Sequence, residues 1–338
     1  MDIEQVKDTA SLNEWMAEHN LRGYWATERR SSALQPYLWK WADIEPGITK
    51  AGEVMSIEEA FRRNIGLVNP RNAPGLMSNL NVGLQCVMPG ESAPQHKHSA
   101  SAIRFVIKGS PDAYTIGAGE PMPLHEGDFI TNPHLTFHGH VSEADTPVIW
   151  IDGLDGRFAH LGKEFRADYD GPEGLDRERI GQSLKTMGHV RPSSLGRPQM
   201  PPPFRYPWTE TRAALDVMQE SEVEPDPHDG YHLTFCHPLT GGPTLPTVAC
   251  EITLLPGKFA GRAHRHNSTV VYHAFRGEGV TVVNGERFAW SKGDFLAIPP
   301  WAEHRHENAS AEDALLFSFT DWPAMKALGL WDEEAEKG

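Results

Sequence analysis

The sequence predicts an all-β protein in which one jelly-roll barrel occurs twice, with a helical N-terminal arm and a short C-terminal helix. Three observations carry this reading. Short apolar runs alternate with Gly, Pro and Asn turns from Leu67 onward, and the same pattern returns from Val248. Landmarks repeat between the two stretches. Met88-Pro89-Gly90 matches Leu255-Pro256-Gly257, His96-Lys97-His98 matches His264-Arg265-His266 at an offset of 168, and Gly127-Asp128-Phe129 matches Gly293-Asp294-Phe295 at 166. Finally, four His-x-His pairs occur, at 96/98, 138/140, 264/266 and 304/306. Random placement of the chain's histidines would give roughly one.

Residues 1–75 form the predicted arm. Ser11 is placed to cap a helix through Asn20 with Leu12, Trp15 and Met16 on one face, and 39–47 reads as extended and aromatic. Ser56 and Glu59 make a capping box for a helix running to about Asn64, which Gly66 ends. The first barrel, 76–160, takes strands near 82–88, 103–107, 113–116, 128–130 and 148–151. Residues 161–240 are polar and Pro-rich at 191–198 and 201–203, and read as an inter-domain linker crossing a surface. Within it Thr209 caps a helix over 210–219, and 220–230 is an acidic loop. The second barrel, 241–320, takes strands near 248–255, 270–275, 280–283, 288–290 and 315–319, with Asn284-Gly285 as a type I′ hairpin turn. In 321–338, Asp321 caps a helix over 322–330 ahead of an acidic tail.

At 338 residues, with 39% hydrophobic and 23% charged residues, the chain fits a folded globular protein of two ordinary domains. A net charge of −15 argues against nucleic acid and anionic membrane surfaces as partners. An anionic small molecule would need a locally basic pocket, which draws attention to buried arginines. Cys86, Cys236 and Cys250 are too few for a disulfide framework or a thiolate zinc site. The first eight residues lack the basic and apolar regions of a signal peptide, and no run reaches the ~18 apolar residues of a membrane span. The expected location is cytoplasmic.

In a strand, His96 and His98 point to one face with Cα atoms roughly 6–7 Å apart, close enough to grip one metal ion. His138 on a neighbouring strand completes a three-histidine set with open positions. His264, His266 and His304 make a second candidate set. Arg104 follows His98 by six residues, on the same face of a regular strand, and its guanidinium fork suits a carboxylate or a bound oxygen anion. Tyr272 stands at the matching position of the second half, so Arg104 marks the first barrel as the working one. His140, at i+2 from His138, suits a general base for a substrate hydroxyl, with Asp152 to orient it. Gln85 is a candidate hydrogen-bond partner in the same pocket.

These residues resemble the two motifs of the cupin superfamily, Gly-x5-His-x-His-x3,4-Glu-x6-Gly and Gly-x5-Pro-x-Gly-x2-His-x3-Asn. Gly90, His96, His98, Gly109, Gly127, Pro133 and His138 fit in the first half. His264, His266, Gly277, Gly293, Pro299, His304 and Asn308 fit in the second. The motif glutamate falls on Ala102 and on Val270. A three-histidine set without that carboxylate is similar to the Fe(II) ring-cleaving bicupins rather than to the manganese oxalate decarboxylases. The run from His96 to Phe105, the run Val148-Ile149-Trp150-Ile151-Asp152-Gly153-Leu154-Asp155, Gly83-Leu84-Gln85 and Leu328-Gly329-Leu330 all resemble gentisate 1,2-dioxygenases. The likeness runs from about residue 38 to 331 and points to the family of gentisate, salicylate and 1-hydroxy-2-naphthoate dioxygenases.

The resemblance implies a bicupin, two double-stranded β-helix barrels, assembled as a homotetramer or homodimer. It implies Fe(II) on His96, His98 and His138; the ligands alone leave the metal open. It implies a small aromatic hydroxy acid bound through its carboxylate and ortho hydroxyl, with O2 as co-substrate and ring opening between the two substituted carbons. Arg71 aligns with a basic position that would neutralise the carboxylate. Asn81, Ala100 and Phe137-His138-Gly139 depart from the family pattern around the ring pocket and so become specificity positions. Two rivals stand beside this reading. One is a metal-dependent decarboxylase or isomerase, which the missing glutamate disfavours. The other is a metal-binding bicupin without ring-cleaving activity, which the two surviving histidine sets disfavour.

Overall fold

The computed structural model describes residues 4, 6–19, 21, 34–60, 63–72, 79–161, 165–187, 202–221 and 223–335. The arginine- and proline-rich run at 188–201 lies outside them, as do Asn20 and the end of the acidic tail. Thr9–Glu18 is a helix in a unit of its own, residues 1–33. Its cap is Asp8, not Ser11. The Asp8 carboxylate accepts from the Ser11 amide at 2.8 Å, and the Ser11 hydroxyl accepts from the Asp8 amide, so Ser11 is the third residue of the box.

In the rest of the chain every named strand pair is antiparallel, and each barrel is one six-stranded and one five-stranded sheet. The first six-stranded sheet runs, edge to edge, Phe204–Tyr206, Phe129–Asn132, Ala102–Lys108, Val148–Leu154, Asn81–Val87, Asn64–Gly66. The second runs Tyr37–Trp39, Phe295–Ile298, Val270–Arg276, Ala314–Thr320, Ala249–Leu255, Tyr231–Thr234. One edge strand of each sheet therefore comes from the segment that precedes the other barrel. Tyr37 pairs with Ala297, and Phe204 pairs with Thr131.

The duplication thus extends into the segments read as arm and linker. Trp41–Val54 and Trp208–Glu220 are matching helices. The Trp41 amide donates to Asp294 at 2.8 Å and the Trp208 amide to Asp128 at 2.8 Å, each across to the barrel that takes the swapped strand. This corrects three expectations. Residues 41–47 are helical, with Pro46 inside the helix; Asp128 and not Thr209 meets the second helix; and the Ser56/Glu59 box caps only Ile57–Ala60 before Asn64 enters a strand. Asp321 precedes a helix at Trp322–Ala327, but its carboxylate accepts from the Thr269 amide and the Asn79 side chain instead of capping it. Asn284 and Gly285 both have positive φ, 49° and 84°, as a type I′ turn requires. Among the described residues, no helix is long and apolar enough to cross a membrane.

Strand parity assigns the two faces. Ile103, Phe105 and Ile107 join a core shared by both six-stranded sheets, where Phe105 stacks on Phe317 at 4.1 Å and meets Phe275 edge-on at 5.0 Å. The alternate residues of the first sheet face its own barrel. Val87, Val106, Ile130, Val148 and Trp150 form an apolar layer there. Gln85, Arg104, Asn132 and Asp152 share that parity and gather polar groups in the same interior.

Gly127 and Gly293 stand where the helices cross the sheets. Gly127 has φ +86°, and a Cβ there would lie 2.8 Å from the Trp208 ring and 2.9 Å from Phe275. Gly127→Ala is expected to lose about 2–4 kcal/mol, the left-handed conformation and the overpacking together, in urea unfolding. An unchanged midpoint would show that the helix shifts freely.

Candidate metal centre

The strand Ser92–His98 pairs with His138–Ser142, with His96 opposite His138 and a register shift between Ala93 and His96. Ring nitrogens of His96, His98 and His138 all lie within 4.8 Å of one another. Each Nδ1 meets a backbone carbonyl: His96 that of His138 at 3.1 Å, His98 that of Ala100 at 2.8 Å, His138 that of Thr136 at 2.9 Å. A carbonyl only accepts, so Nδ1 carries the proton in each ring and Nε2 is the nitrogen that keeps a lone pair. This anchoring is typical of metal-ligating histidines. Burial, then the Arg104 charge and the other two imidazoles, pushes the pKa of His138 well below its ordinary value, which keeps it neutral. Among the described residues its buried Nε2 has no hydrogen-bond partner. Three imidazoles without a carboxylate fit a first-row transition ion such as iron.

The stretch read as a surface linker covers this centre in part. Ala167 and Asp168 pair with His98 and Lys97. The Phe165 ring stacks on His98 at 6.0 Å, and Tyr169 on His96 at 6.1 Å. Sequence reasoning missed both aromatics, which sit singly in a polar run with no periodic signal.

Arg104 is 2% exposed. It reaches the interior by a different route from the one expected. His98 ends one strand, the chain bends, and Arg104 lies on Ala102–Lys108 in the other sheet. Its Nη1 donates to the Asn132 side chain, and its Nη2 lies 3.7 Å from the Asp152 carboxylate. Asp152 thus faces Arg104, and accepts from Asn64 at 2.7 Å. The partner of His140 Nδ1 is the Thr115 hydroxyl at 3.1 Å, with the ring against Trp150 at 4.4 Å. Gln85 is buried, and among the described residues its Nε2 has no hydrogen-bond partner. Ala100 is buried and contributes the carbonyl under His98. Asn81 is exposed at the start of its strand. The Arg71 guanidinium makes two 2.8 Å bonds to Glu286.

The second set repeats the construction with different neighbours. His264, His266 and His304 also lie within 4.8 Å, His264 opposite His304. Trp331 stacks on His266 at 5.8 Å, and the predicted acidic tail forms the strand Glu333–Ala335 beside His264–His266. His306 meets the Thr281 hydroxyl at 2.9 Å, as His140 meets Thr115. Tyr272 pairs with Ser318 where Arg104 pairs with Asp152. Glu251, also opposite Ser318, lies 3.4 Å from His232 Nε2. Burial opposes the charge on His232, but Glu251, with Asp229 and Asp226 behind it, raises its pKa to about 9.

The cupin domain family matches the chain twice, over residues 83–153 and 250–320. The 5-aminosalicylate 1,2-dioxygenase of a Comamonas species is 36% identical over 97% of this chain and 90% of its own length. The 1-hydroxy-2-naphthoate 1,2-dioxygenase of Nocardioides sp. strain KP7 is 35% identical over 99% and 90%. A crystal structure of salicylate 1,2-dioxygenase from Pseudoaminobacter salicylatoxidans, in adduct with gentisate, aligns with a TM-score of 0.87 at 26% identity, covering 99% of this chain and 97% of that one.

Proposed function

The chain belongs to the bicupin ring-cleaving 1,2-dioxygenases and acts on a hydroxybenzoate-type substrate, and on that premise we propose that the substrate is gentisate and the metal Fe(II). The observation that carries this reading is a buried arginine bearing on a carboxylate-free histidine triad. In a chain of net charge −15, a buried guanidinium is the group suited to meet an aromatic carboxylate.

His96, His98 and His138 would hold the metal. Bound there, Fe(II) supplies Lewis acidity toward the carboxylate and phenol oxygens and the electron transfer that lets O2 react with the ring. Arg104 binds the carboxylate through its planar fork, steadied by Asn132 and by the facing Asp152, which Asn64 holds in place. Gln85 offers an amide donor from the adjoining strand. Phe165 and Tyr169 shield the imidazoles from water. His140 takes the phenol proton, with Thr115 fixing its Nδ1. The ring opens between the hydroxyl- and carboxyl-bearing carbons. The recurrence of this histidine–threonine pair at His306 and Thr281 favours a second reading for His140 alone, as a packing residue. For the substrate, the departures at Asn81 and Ala100 favour a second reading among salicylate, substituted salicylates and 1-hydroxy-2-naphthoate. The assembly in this reading is a homodimer or homotetramer.

The test is O2 uptake after anaerobic Fe(II) loading, across gentisate, salicylate, 5-substituted salicylates and 1-hydroxy-2-naphthoate. The expected result is fastest uptake with gentisate and a new ring-opened absorbance. Uptake confined to acids lacking the 5-hydroxyl would reject gentisate and keep the reaction. In the same assay His140→Gln is expected to lower kcat roughly 10²-fold, the usual worth of a general base. An unchanged rate would leave that histidine a packing role.

A further inference from the structure

We propose that Asp155 is a positioning residue for the first histidine set: it clamps the turn at 99–101 so that the Ala100 carbonyl holds the His98 imidazole in its metal-binding orientation. The inference rests on the reading of His96, His98 and His138 as the working centre. The turn is where the chain leaves the five-stranded sheet at His98 and enters the six-stranded sheet at Ala102. Within it the Ala100 carbonyl accepts from His98 Nδ1 at 2.8 Å. Whatever moves this carbonyl turns the ring, because a ligating imidazole takes its orientation from the partner of its second nitrogen.

Asp155 lies opposite that turn. The ladder that pairs Leu154 with Ala102 continues one residue further, where the Asp155 amide donates to the Ser101 carbonyl at 3.4 Å. Its carboxylate returns to the same residue. Oδ1 accepts from the Ser101 amide at 2.7 Å, and Oδ2 accepts from the Thr247 hydroxyl at 2.5 Å. Asp155 is buried, so water competes little for either bond. It stands at the N-cap of the short helix Gly156–Ala159, where an aspartate ordinarily caps, yet it makes no side-chain cap bond there. The carboxylate goes to the turn instead. Neighbours complete the clamp. The His134 amide donates to the Ser101 hydroxyl at 3.2 Å, and Ser99 exchanges two 2.8 Å bonds with the Arg166 backbone.

The second barrel carries the same clamp and so supplies a control. Asp321 accepts from the Thr269 amide at 2.7 Å and from the Asn79 side chain at 2.7 Å. Thr269 follows His266 by three residues, as Ser101 follows His98. The two copies differ at the residue under the imidazole. His266 Nδ1 meets the Ser268 carbonyl at 3.2 Å and also the Ser268 hydroxyl at 2.9 Å, whereas Ala100 has no hydroxyl to add. His98 therefore depends more on its carbonyl, and on the clamp that fixes it, than His266 does. Arg104 is held separately, because its strand is paired on both sides, with Asp152 opposite on one and Ile130 on the other. Loss of the clamp should reach the imidazole and spare the carboxylate-binding group.

The test uses the full chain with heavy-nitrogen-labelled histidines, followed by NMR as apoprotein and by O2 uptake after Fe(II) loading, with the acid that the wild type turns over fastest. His98, assigned by the loss of its signals in His98→Gln, should show the Nδ1-protonated tautomer. Asp155→Ala should move those signals toward a mixture of tautomers. It should also lower kcat about 10–100-fold, the range for partners that orient a metal ligand, with KM changed less than about threefold. Asp155→Asn keeps an acceptor for the Ser101 amide and should restore most of both readouts. Thr247→Val keeps the carboxylate and should move both in the same direction by less; it stands in if Asp155→Ala does not fold. Asp321→Ala should lower the urea midpoint as Asp155→Ala does, but leave the His98 signals and kcat at wild-type values. Wild-type His98 signals and kcat in Asp155→Ala would overturn the proposal, as would an equal loss of kcat in Asp321→Ala. No O2 uptake by the wild-type chain would instead sink the reading of the centre, and the His98 signals of the apoprotein would still decide the clamp.

Discussion

His138→Ala is expected to reduce ring cleavage to the level of buffer and to empty the first site. His138 is the ligand with the least freedom: its Nδ1 is bound to the Thr136 carbonyl, it stands opposite His96 in the sheet, and it is almost wholly buried. Substitutions one step removed from a metal commonly cost 10–100-fold in affinity, so loss of a ligand should exceed about 10²-fold. Fold damage is separable. Losing one buried hydrogen bond costs about 1–3 kcal/mol, which leaves most domains folded. Metal content, circular dichroism and O2 uptake on one preparation decide the matter. A folded His138→Ala variant that retains first-site metal and turns over would remove this histidine from the centre.

The second large effect is expected at Arg104. Arg104→Met should lower kcat/KM for the carboxylate substrate by roughly 10²–10³-fold, the worth of one or two charge-assisted hydrogen bonds. The same change leaves Asp152 beside an apolar side chain, and breaking a buried pair costs about 3–5 kcal/mol in stability. Arg104→Met with Asp152→Asn removes both charges. The double variant should regain most of the stability in urea and none of the activity. Arg104→Lys keeps the charge without the fork and should fall between. A single variant with wild-type KM and kcat would place the carboxylate elsewhere.

How much of this was legible in the sequence depends on range. Paired histidines two residues apart read directly as strand ligands, because the pleat repeats every two residues. The duplication read directly too, because Pro-Gly and Gly-Asp-Phe turns mark the same corners in both copies. Arg104 was found for an incomplete reason. Its distance from His98 was counted along one strand, whereas the chain changes sheets at residues 99–101 and parity happens to restore the same interior. Asn132, Asn64 and Thr115 escaped because each acts on a partner at least 25 residues away, and nothing local distinguishes them. The swapped edge strands escaped for the same reason. Tyr37–Trp39 is three residues long, too short for a period, and its partner lies near residue 296. The helix over 41–54 was hidden by Pro46 and Gly47, whose weak helical preference is outweighed where Ile48 packs into the shared core.

The exchanged edge strands have a bearing on how the two halves can diverge. Each barrel borrows a strand from the segment ahead of the other and caps the helix that follows it, and both lean on one aromatic core, so neither half is a self-sufficient folding unit. Unfolding should then be a single cooperative event, and any free energy gained in one half is shared by both.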